Sequence, residues 1–144
     1  MKIITTNPII TGNEKTFDDD MKNKTNGTPP AILLKWAKGI SSKDPKYMTS
    51  FYSKRAVLLA TYEPLALGQK EIYDYFVDFV DKNNMKCEIT TCINQRGLDG
   101  FVVSSGFYTF TFEDKTGLQE VEARFTYVLL DNKIVNHHSS EMPD

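Results

Sequence analysis

Apolar residues in the first half of the chain recur at helical spacing. After Thr28, a candidate N-cap, and the proline pair at 29–30, one apolar face predicts a first helix: Ile32, Leu33, Trp36, Ala37 and Ile40. Asp44 and Pro45 predict the start of a short second helix. An apolar run at 56–62 predicts a strand, and helical spacing resumes after Gly68, which predicts a third helix.

The second half of the chain alternates between apolar and polar residues with a period of two, which is typical of strands. Turn residues separate four such segments, at 87–95, 101–114, 118–130 and 133–142. The predicted order is therefore helix, helix, strand, helix and four antiparallel strands. This order indicates an α+β domain with helices on one face of a sheet.

The strand at 121–130 has apolar side chains on both faces. Val121, Ala123, Phe125, Tyr127 and Leu129 share one face, while Val128 and Leu130 lie on the other with Glu122, Arg124 and Thr126. Helices can cover only one face of a sheet in a domain of this size. We therefore expect a homodimer or a higher homo-oligomer that associates through sheet surfaces.

The composition is that of one soluble domain with a polar N-terminal arm. Residues 1–27 are rich in Asn, Thr, Asp and Lys and predict an arm or linker, whereas 28–144 predict the folded domain. The formal charge of the 144-residue chain is −2, which argues against nucleic acid or an anionic membrane as a partner. No apolar run reaches membrane-spanning length and the N-terminus does not resemble a signal peptide, so we expect a cytoplasmic location.

The residue types that bind metals are few and poorly spaced for that purpose. Cys87 and Cys92 are five apart on one predicted strand, which predicts opposite faces, and they do not form a Cys-x-x-Cys motif. His137 and His138 are the two histidines, and adjacent strand residues likewise point to opposite faces. We expect no metal site, and no cofactor-binding motif is present.

Several segments together resemble a known family. The sequences ATYEP at 60–64, EIYDYF at 71–76, SGFYTFTF at 105–112, EARFTYV at 122–128 and IVNHHSSEMP at 134–143 are similar to the association (hub) domain of calcium/calmodulin-dependent protein kinase II. They also resemble the free-standing bacterial proteins of that family. The wider group is the SnoaL-like, nuclear-transport-factor-two-like or ketosteroid-isomerase-like fold. The resemblance covers about residues 29–143, and the chain has no kinase motif.

The resemblance implies a cone, in which a curved antiparallel sheet wraps around a long N-terminal helix and leaves a pocket at its wide end. In the kinase hubs that pocket is basic and accepts small carboxylates, and Arg124 matches one of its arginines. Tyr108, Ser139 and Ile72 stand where those hubs carry further basic side chains. Tyr108 and Ser139 instead resemble the free-standing bacterial members.

Arg124 is the first candidate for a ligand contact. Its position in the middle of a strand predicts a guanidinium that either binds a ligand carboxylate or forms an internal salt bridge with Glu122 or Glu63. The aromatic residues Trp36, Tyr62 and Tyr108 are further candidates, because buried phenol hydroxyls need partners and could orient a ligand.

The strand end adds His137 and Ser139 as ligand-binding candidates. A histidine here could act as a general base, since imidazole titrates near neutrality, or it could simply be packed and hydrogen-bonded. Glu63 is an alternative base, although its position next to Pro64 does not favour that role. No catalytic residue is assigned.

The sequence leaves two functions open. The first is a non-catalytic, hub-like oligomerisation domain whose pocket binds a small carboxylate or an apolar ligand. The second is a small isomerase, cyclase or hydrolase that acts on a hydrophobic carbonyl compound, with a histidine or Glu63 as base and Tyr108 as hydrogen-bond donor. The fold does not decide between them, because it supports both.

Overall fold

The computed structural model describes residues 27–143, and the predicted arm at 1–27 therefore lies almost entirely outside the described residues. The α-helices are α1 (Ala31–Gly39), α2 (Pro45–Thr49) and α3 (Gly68–Phe79). The strands are β1 (Tyr52–Leu59), β2 (Ala66–Leu67), β3 (Asn83–Arg96), β4 (Val102–Asp114), β5 (Gly117–Leu130) and β6 (Lys133–Glu141). The predicted α+β class is confirmed, and so is the element order apart from the two-residue strand β2, which was not predicted. Helix α1, which the resemblance implies to be long, has nine residues and is shorter than α3. None of the helices within 27–143 combines the length and hydropathy needed to cross a bilayer.

The six strands form one sheet in the order β2-β1-β6-β5-β4-β3. Strands β3 to β6 form an antiparallel meander, because short turns join them in sequence. Strand β1 pairs with β6 in parallel, a contact that the sequence pattern did not predict. This pairing brings the start of the domain beside its last strand.

The helix starts illustrate how local sequence sets the elements. Asp44 caps α2, since its Oδ1 accepts hydrogen bonds from the backbone amides of Lys46 at 3.0 Å and Tyr47 at 3.1 Å. Helix α1 begins after Pro30 with no side-chain cap, so the expectation that Thr28 caps it is wrong. The fixed φ of proline favours the first helical turn without a polar cap.

One face of the sheet, here called the inner face, packs against the helices. The inward residues of β5 and β6 include Phe125, Tyr127, Leu129, Ile134 and His137, all of which are buried. Trp36 of α1 is 2% exposed and packs against rings from α3, β4, β5 and β6. This aromatic packing confirms the inward orientation of Trp36 that the helical spacing predicts.

A β-bulge corrects the expected placement of the two cysteines. The register of β3 against β4 shifts between Ile89 and Thr91, so one extra residue lies between the cysteines. Cys87 therefore pairs with Phe110 and Cys92 with Gly106, four residues apart on β4 and on the same inner face. The two cysteines are not joined by a disulfide, and their predicted opposite orientation is wrong because the alternation is interrupted.

Candidate functional site

An open cavity of about 270 Å³ lies between α3 and the inner face of the sheet. Strands β4, β5 and β6 form its floor, helix α3 forms one wall, and the loop after β1 forms part of the rim. Its aromatic lining comes from α1, the rim loop, α3 and β4: Trp36, Tyr62, Tyr75, Phe79, Tyr108, Phe110 and Phe112. An apolar cavity with a few polar groups is the usual form of a small-molecule site.

A continuous chain of side-chain hydrogen bonds runs from helix α1 through the core to the floor of the cavity. Trp36 Nε1 donates to the Tyr52 hydroxyl at 3.0 Å, and that hydroxyl lies 2.8 Å from His137 Nδ1. The opposite ring nitrogen, Nε2, lies 3.2 Å from the Tyr108 hydroxyl, which bonds Ser139 Oγ at 2.6 Å. Five side chains from α1, β1, β4 and β6 are thereby joined, and we call them the polar chain.

Burial keeps the titratable members of the polar chain uncharged. It lowers the pKa of His137 to about 3, with a smaller lowering from the neighbouring His138. Burial is also the main reason why the pKa values of Tyr52 and Tyr108 lie well above the usual range. At neutral pH the floor therefore presents neutral hydrogen-bonding groups.

The Tyr127 hydroxyl lies outside the polar chain although its ring stacks on His137, with centroids 3.9 Å apart. This hydroxyl is buried and has no partner of acceptable hydrogen-bond geometry. It still lowers the pKa of Tyr108 slightly, which indicates proximity without good alignment. A buried hydroxyl without a partner is unfavourable for folding.

The charges around the cavity are mainly negative. Its lining includes three carboxylates, Glu63, Asp78 and Glu141, and one ammonium group, that of Lys82. The Lys82 ammonium lies over the Phe79 ring at 5.2 Å from its centroid and over the Phe112 ring at 5.8 Å. These aromatic contacts hold the only lysine of the lining against one wall.

Tyr75 adds a polar group to the helix wall. Burial raises the pKa of its hydroxyl, and the negative charge of Glu63 raises it further. Within the described residues 27–143, the Tyr75 ring stacks on that of Phe79 with centroids 5.3 Å apart. Within the same residues, no group of three or more His, Cys, Asp or Glu side chains is arranged to hold a metal ion.

The structure brings most of the predicted site residues together, but Arg124 is not among them. Trp36, Tyr62, Tyr108, His137 and Ser139 line the cavity. Arg124 is exposed on the opposite, outer face of β5, because it alternates with the inward Ala123 and Phe125. The expected buried guanidinium is therefore wrong, and across the described chain the one salt bridge joins Lys70 to Asp74.

Tyr62 differs in detail from the expectation, whereas the two histidines agree with it. Tyr62 is 90% exposed and contributes to the rim, with its backbone in the left-handed region at φ 61°. His137 and His138 point to opposite faces as predicted, and His137 alone faces the cavity. Glu63 lies at the rim, near Tyr75.

Sequence reasoning missed the role of Tyr52 and the charged rim. The residues Ser53, Lys54 and Arg55 interrupt the apolar alternation after Tyr52, and a register irregularity separates it from Val57. The wall residues of α3 had a usable signal, because Tyr75, Asp78 and Phe79 fall at spacings of three and four on one helical face, and Lys82 follows just after the helix ends.

With this geometry in place, comparisons with known proteins give the family. The model of the calcium/calmodulin dependent protein kinase II association domain matches residues 30–143. The chain belongs to this association-domain family. A related protein from Xanthomonas campestris, described as an association domain of the same kind, is 33% identical over 79% of this chain and 85% of its own, with a TM-score of 0.72.

More distant structures show the wider fold of the association domain. A protein of ketosteroid isomerase-like fold from Catenulispora acidiphila, solved with trimethylamine, is 14% identical, with a TM-score of 0.63 over 81% of this chain and 88% of its own. A ketosteroid isomerase-like protein from Erwinia carotovora atroseptica is 15% identical, with a TM-score of 0.64 over 79% and 93%. At these identities the likeness establishes the fold alone, and no curated protein matches the chain.

Proposed function

We propose that this association-domain protein is a self-associating, hub-like module that binds a small molecule in the cavity. The observation that carries the proposal is the cavity itself, which remains open between α3 and the sheet and is lined by aromatic rings around a neutral polar chain. A core whose only task was packing would fill such a space with side chains.

The chemistry of the lining supports a neutral or cationic ligand with an apolar body. Arg124 lies on the other face, and the rim carries the carboxylates of Glu63, Asp78 and Glu141 against the single ammonium of Lys82. An anionic ligand would be repelled by this surplus of negative charge. The small carboxylate that the kinase hubs accept is therefore the less favoured ligand for this cavity.

Ligand binding can be measured through Trp36, the single tryptophan of the chain, which lies in the cavity wall. Cyclohexyl methyl ketone, cyclohexylmethylammonium and cyclohexanecarboxylate have similar bodies and differ in charge. We expect the ketone and the ammonium compound to change Trp36 fluorescence and the nearby amide shifts at lower concentration than the carboxylate. Tighter binding of the carboxylate would contradict the proposed preference.

Self-association through the outer face of the sheet is the second part of the proposal. Family membership supports it, and so does the outer surface of β4 and β5, where Val103, Val128 and Leu130 are half-buried and Phe107 is 36% exposed. Native mass spectrometry should show a homo-oligomer. Phe107→Asp should shift it toward monomer, whereas Leu34→Asp, which changes an exposed apolar residue of helix α1, should not. A strict monomer at micromolar concentration would contradict this part.

The enzymatic alternative has one favourable observation, since a carboxylate, Glu63, and a hydroxyl, that of Ser139, line the same cavity. His137 is a poor general base, because both its ring nitrogens bond tyrosine hydroxyls and its pKa is lowered to about 3. Deuterium uptake at the α-carbons of cyclohexyl methyl ketone in D₂O would reveal proton abstraction. A rate that the protein accelerates and that Glu63→Gln abolishes would favour the enzyme over the module.

A further inference from the structure

The hydrogen bonds of the polar chain run in one donor-to-acceptor direction, and its first member, Trp36, sets that direction. An indole N–H can only donate, so Trp36 must be the donor in its 3.0 Å bond to the Tyr52 hydroxyl. The Tyr52 oxygen is thereby an acceptor, and its own proton remains for one further partner. His137 Nδ1, at 2.8 Å, is the acceptor within reach.

The second step passes through the imidazole. A neutral imidazole has one donor and one acceptor nitrogen. Because Nδ1 accepts from Tyr52, the proton of His137 is assigned to Nε2, which donates to the Tyr108 hydroxyl at 3.2 Å. Both nitrogens bond phenol hydroxyls rather than a carboxylate, so nothing in the polar chain would stabilise an imidazolium.

The third step reaches the cavity. The Tyr108 oxygen accepts from His137, so its proton is directed to Ser139 Oγ at 2.6 Å. The Ser139 hydroxyl thereby receives one hydrogen bond and keeps its own proton, and Ser139 lines the cavity. The Ser139 carbonyl is separately occupied by the Thr61 hydroxyl at 3.1 Å. Successive hydrogen bonds polarise one another, which strengthens the last donor.

The geometry points to Ser139 as the specificity-determining donor of the cavity, which selects neutral ligands that combine an apolar body with an acceptor oxygen, such as a ketone or an ether. This inference rests on the proposed ligand-binding function and adds the chemical feature that the ligand must present. The aromatic walls accept the apolar body, and the Ser139 proton bonds the oxygen. A hydrocarbon of the same shape would leave this donor without a partner.

The test compares two ligands of the same shape. Cyclohexyl methyl ketone and isopropenylcyclohexane differ in that the first has a C=O where the second has a C=CH₂. We expect the wild-type protein to bind the ketone about fivefold to tenfold more tightly, which is the effect of one neutral hydrogen bond. Ser139→Ala should bring the two affinities within about twofold of each other by weakening ketone binding alone.

Two control variants separate the hydroxyl from a general change in the sheet. Ser139→Thr keeps a hydroxyl and should preserve the preference for the ketone. Ser140→Ala changes the neighbouring residue, whose side chain lies on the outer face opposite Arg124, and should leave both affinities unchanged. Loss of the preference in Ser140→Ala would overturn the assignment to Ser139.

A measurement without ligand tests the direction of the hydrogen bonds in the polar chain. Two-bond ¹H–¹⁵N correlation spectra distinguish the two tautomers of His137, and we expect the proton on Nε2. A proton on Nδ1 would overturn the inference without affecting the proposed function. Equal affinities of the wild type for ketone and alkene would also overturn the inference alone. Binding of neither compound would overturn the proposed function, and the ligand preference with it.

Discussion

The two faces of the sheet use similar residues for different purposes. His137 is buried on the inner face between two tyrosine hydroxyls, whereas His138, the next residue, is exposed on the outer face. Phe125 is likewise buried while the adjacent Arg124 is exposed. The strand alternation, rather than residue type, therefore decides which side chains contribute to the site. A substitution on one face can therefore be compared with a matched substitution on the other.

Substitution of Gly106 on the inner face should destabilise the fold far more than substitution of its neighbour on the outer face. A Cβ at Gly106 would lie on the inner face, where it would overlap the carbonyl oxygen of Thr91 and come within 3.0 Å of Phe125 Cζ. Since the oxygen belongs to the backbone at the β3 bulge, it cannot move without disrupting the strand pairing. We expect Gly106→Ala to lower the free energy of unfolding by about 3 kcal/mol or more.

Chemical denaturation at fixed protein concentration measures this change. Ser105→Ala, at the adjacent half-buried position on the outer face, is the matched control and should change the free energy by less than about 0.5 kcal/mol. Equal effects of the two substitutions would show that the β3 bulge does not restrict the residue at position 106.

Substitutions of His137 and His138 should differ in their effects on stability and on its pH dependence, because the two side chains lie on opposite faces. His137→Phe leaves the Tyr52 and Tyr108 hydroxyls without their shared partner, so we expect a loss of about 2 kcal/mol or more. His138→Phe, on the exposed face, should have a much smaller effect. Similar losses in both variants would contradict the face assignment.

The sign of the pH dependence follows from the lowered pKa of His137. In the unfolded chain the group titrates near 6.5, and in the folded chain near 3, so the unfolded state binds the proton more readily between these values. The stability from the neutral imidazole is complete above about pH 6.5 and declines by up to about 1.4 kcal/mol per unit as the pH falls toward 3. Urea denaturation at several pH values should show this slope in His138→Phe and lose it in His137→Phe.

Substitutions of the two buried tyrosines Tyr52 and Tyr127 should differ by a smaller amount in their effects on stability. The Tyr52 hydroxyl bonds Trp36 and His137, whereas the Tyr127 hydroxyl is buried without a hydrogen-bond partner. We expect Tyr52→Phe to cost about 1 to 2 kcal/mol and Tyr127→Phe to be neutral or stabilising by up to about 1 kcal/mol. Thermal unfolding of the two variants would measure this, and a comparable loss in Tyr127→Phe would show that its hydroxyl has a partner.

The sequence was sufficient for the element order because the hydrophobic period changes clearly along the chain. Helical spacing identified the inward Trp36, and the strict alternation of 121–130 assigned Phe125 and Tyr127 to one face. The parallel pairing of β1 with β6 and the shared face of Cys87 and Cys92 were not accessible. Long-range pairing and a one-residue bulge leave no periodic signal in a single sequence.

The candidate site was only partly predictable for a related reason. Tyr108, His137 and Ser139 were identified, but their connection depends on Tyr52, which precedes a polar interruption in its strand. The family resemblance predicts Arg124 in the pocket, whereas its alternation with Phe125 assigns it to the opposite face. Strand parity is here a better guide to the lining than the matched residue type.

Arg124→Ala should show the smallest effect on folding. Arg124 is exposed, forms no salt bridge among residues 27–143 and pairs across the strands with the outer-face residues Phe107 and Ser140. We expect the free energy of unfolding to change by less than about 0.5 kcal/mol and the affinity for cyclohexyl methyl ketone to stay the same. If the outer face associates with a second copy, the oligomer should instead respond, since an exposed cation would become part of an interface. Native mass spectrometry tests the oligomer, and the Trp36 titration tests ligand binding. Weakened ligand binding with an intact oligomer would show that Arg124 contacts the ligand in the cavity.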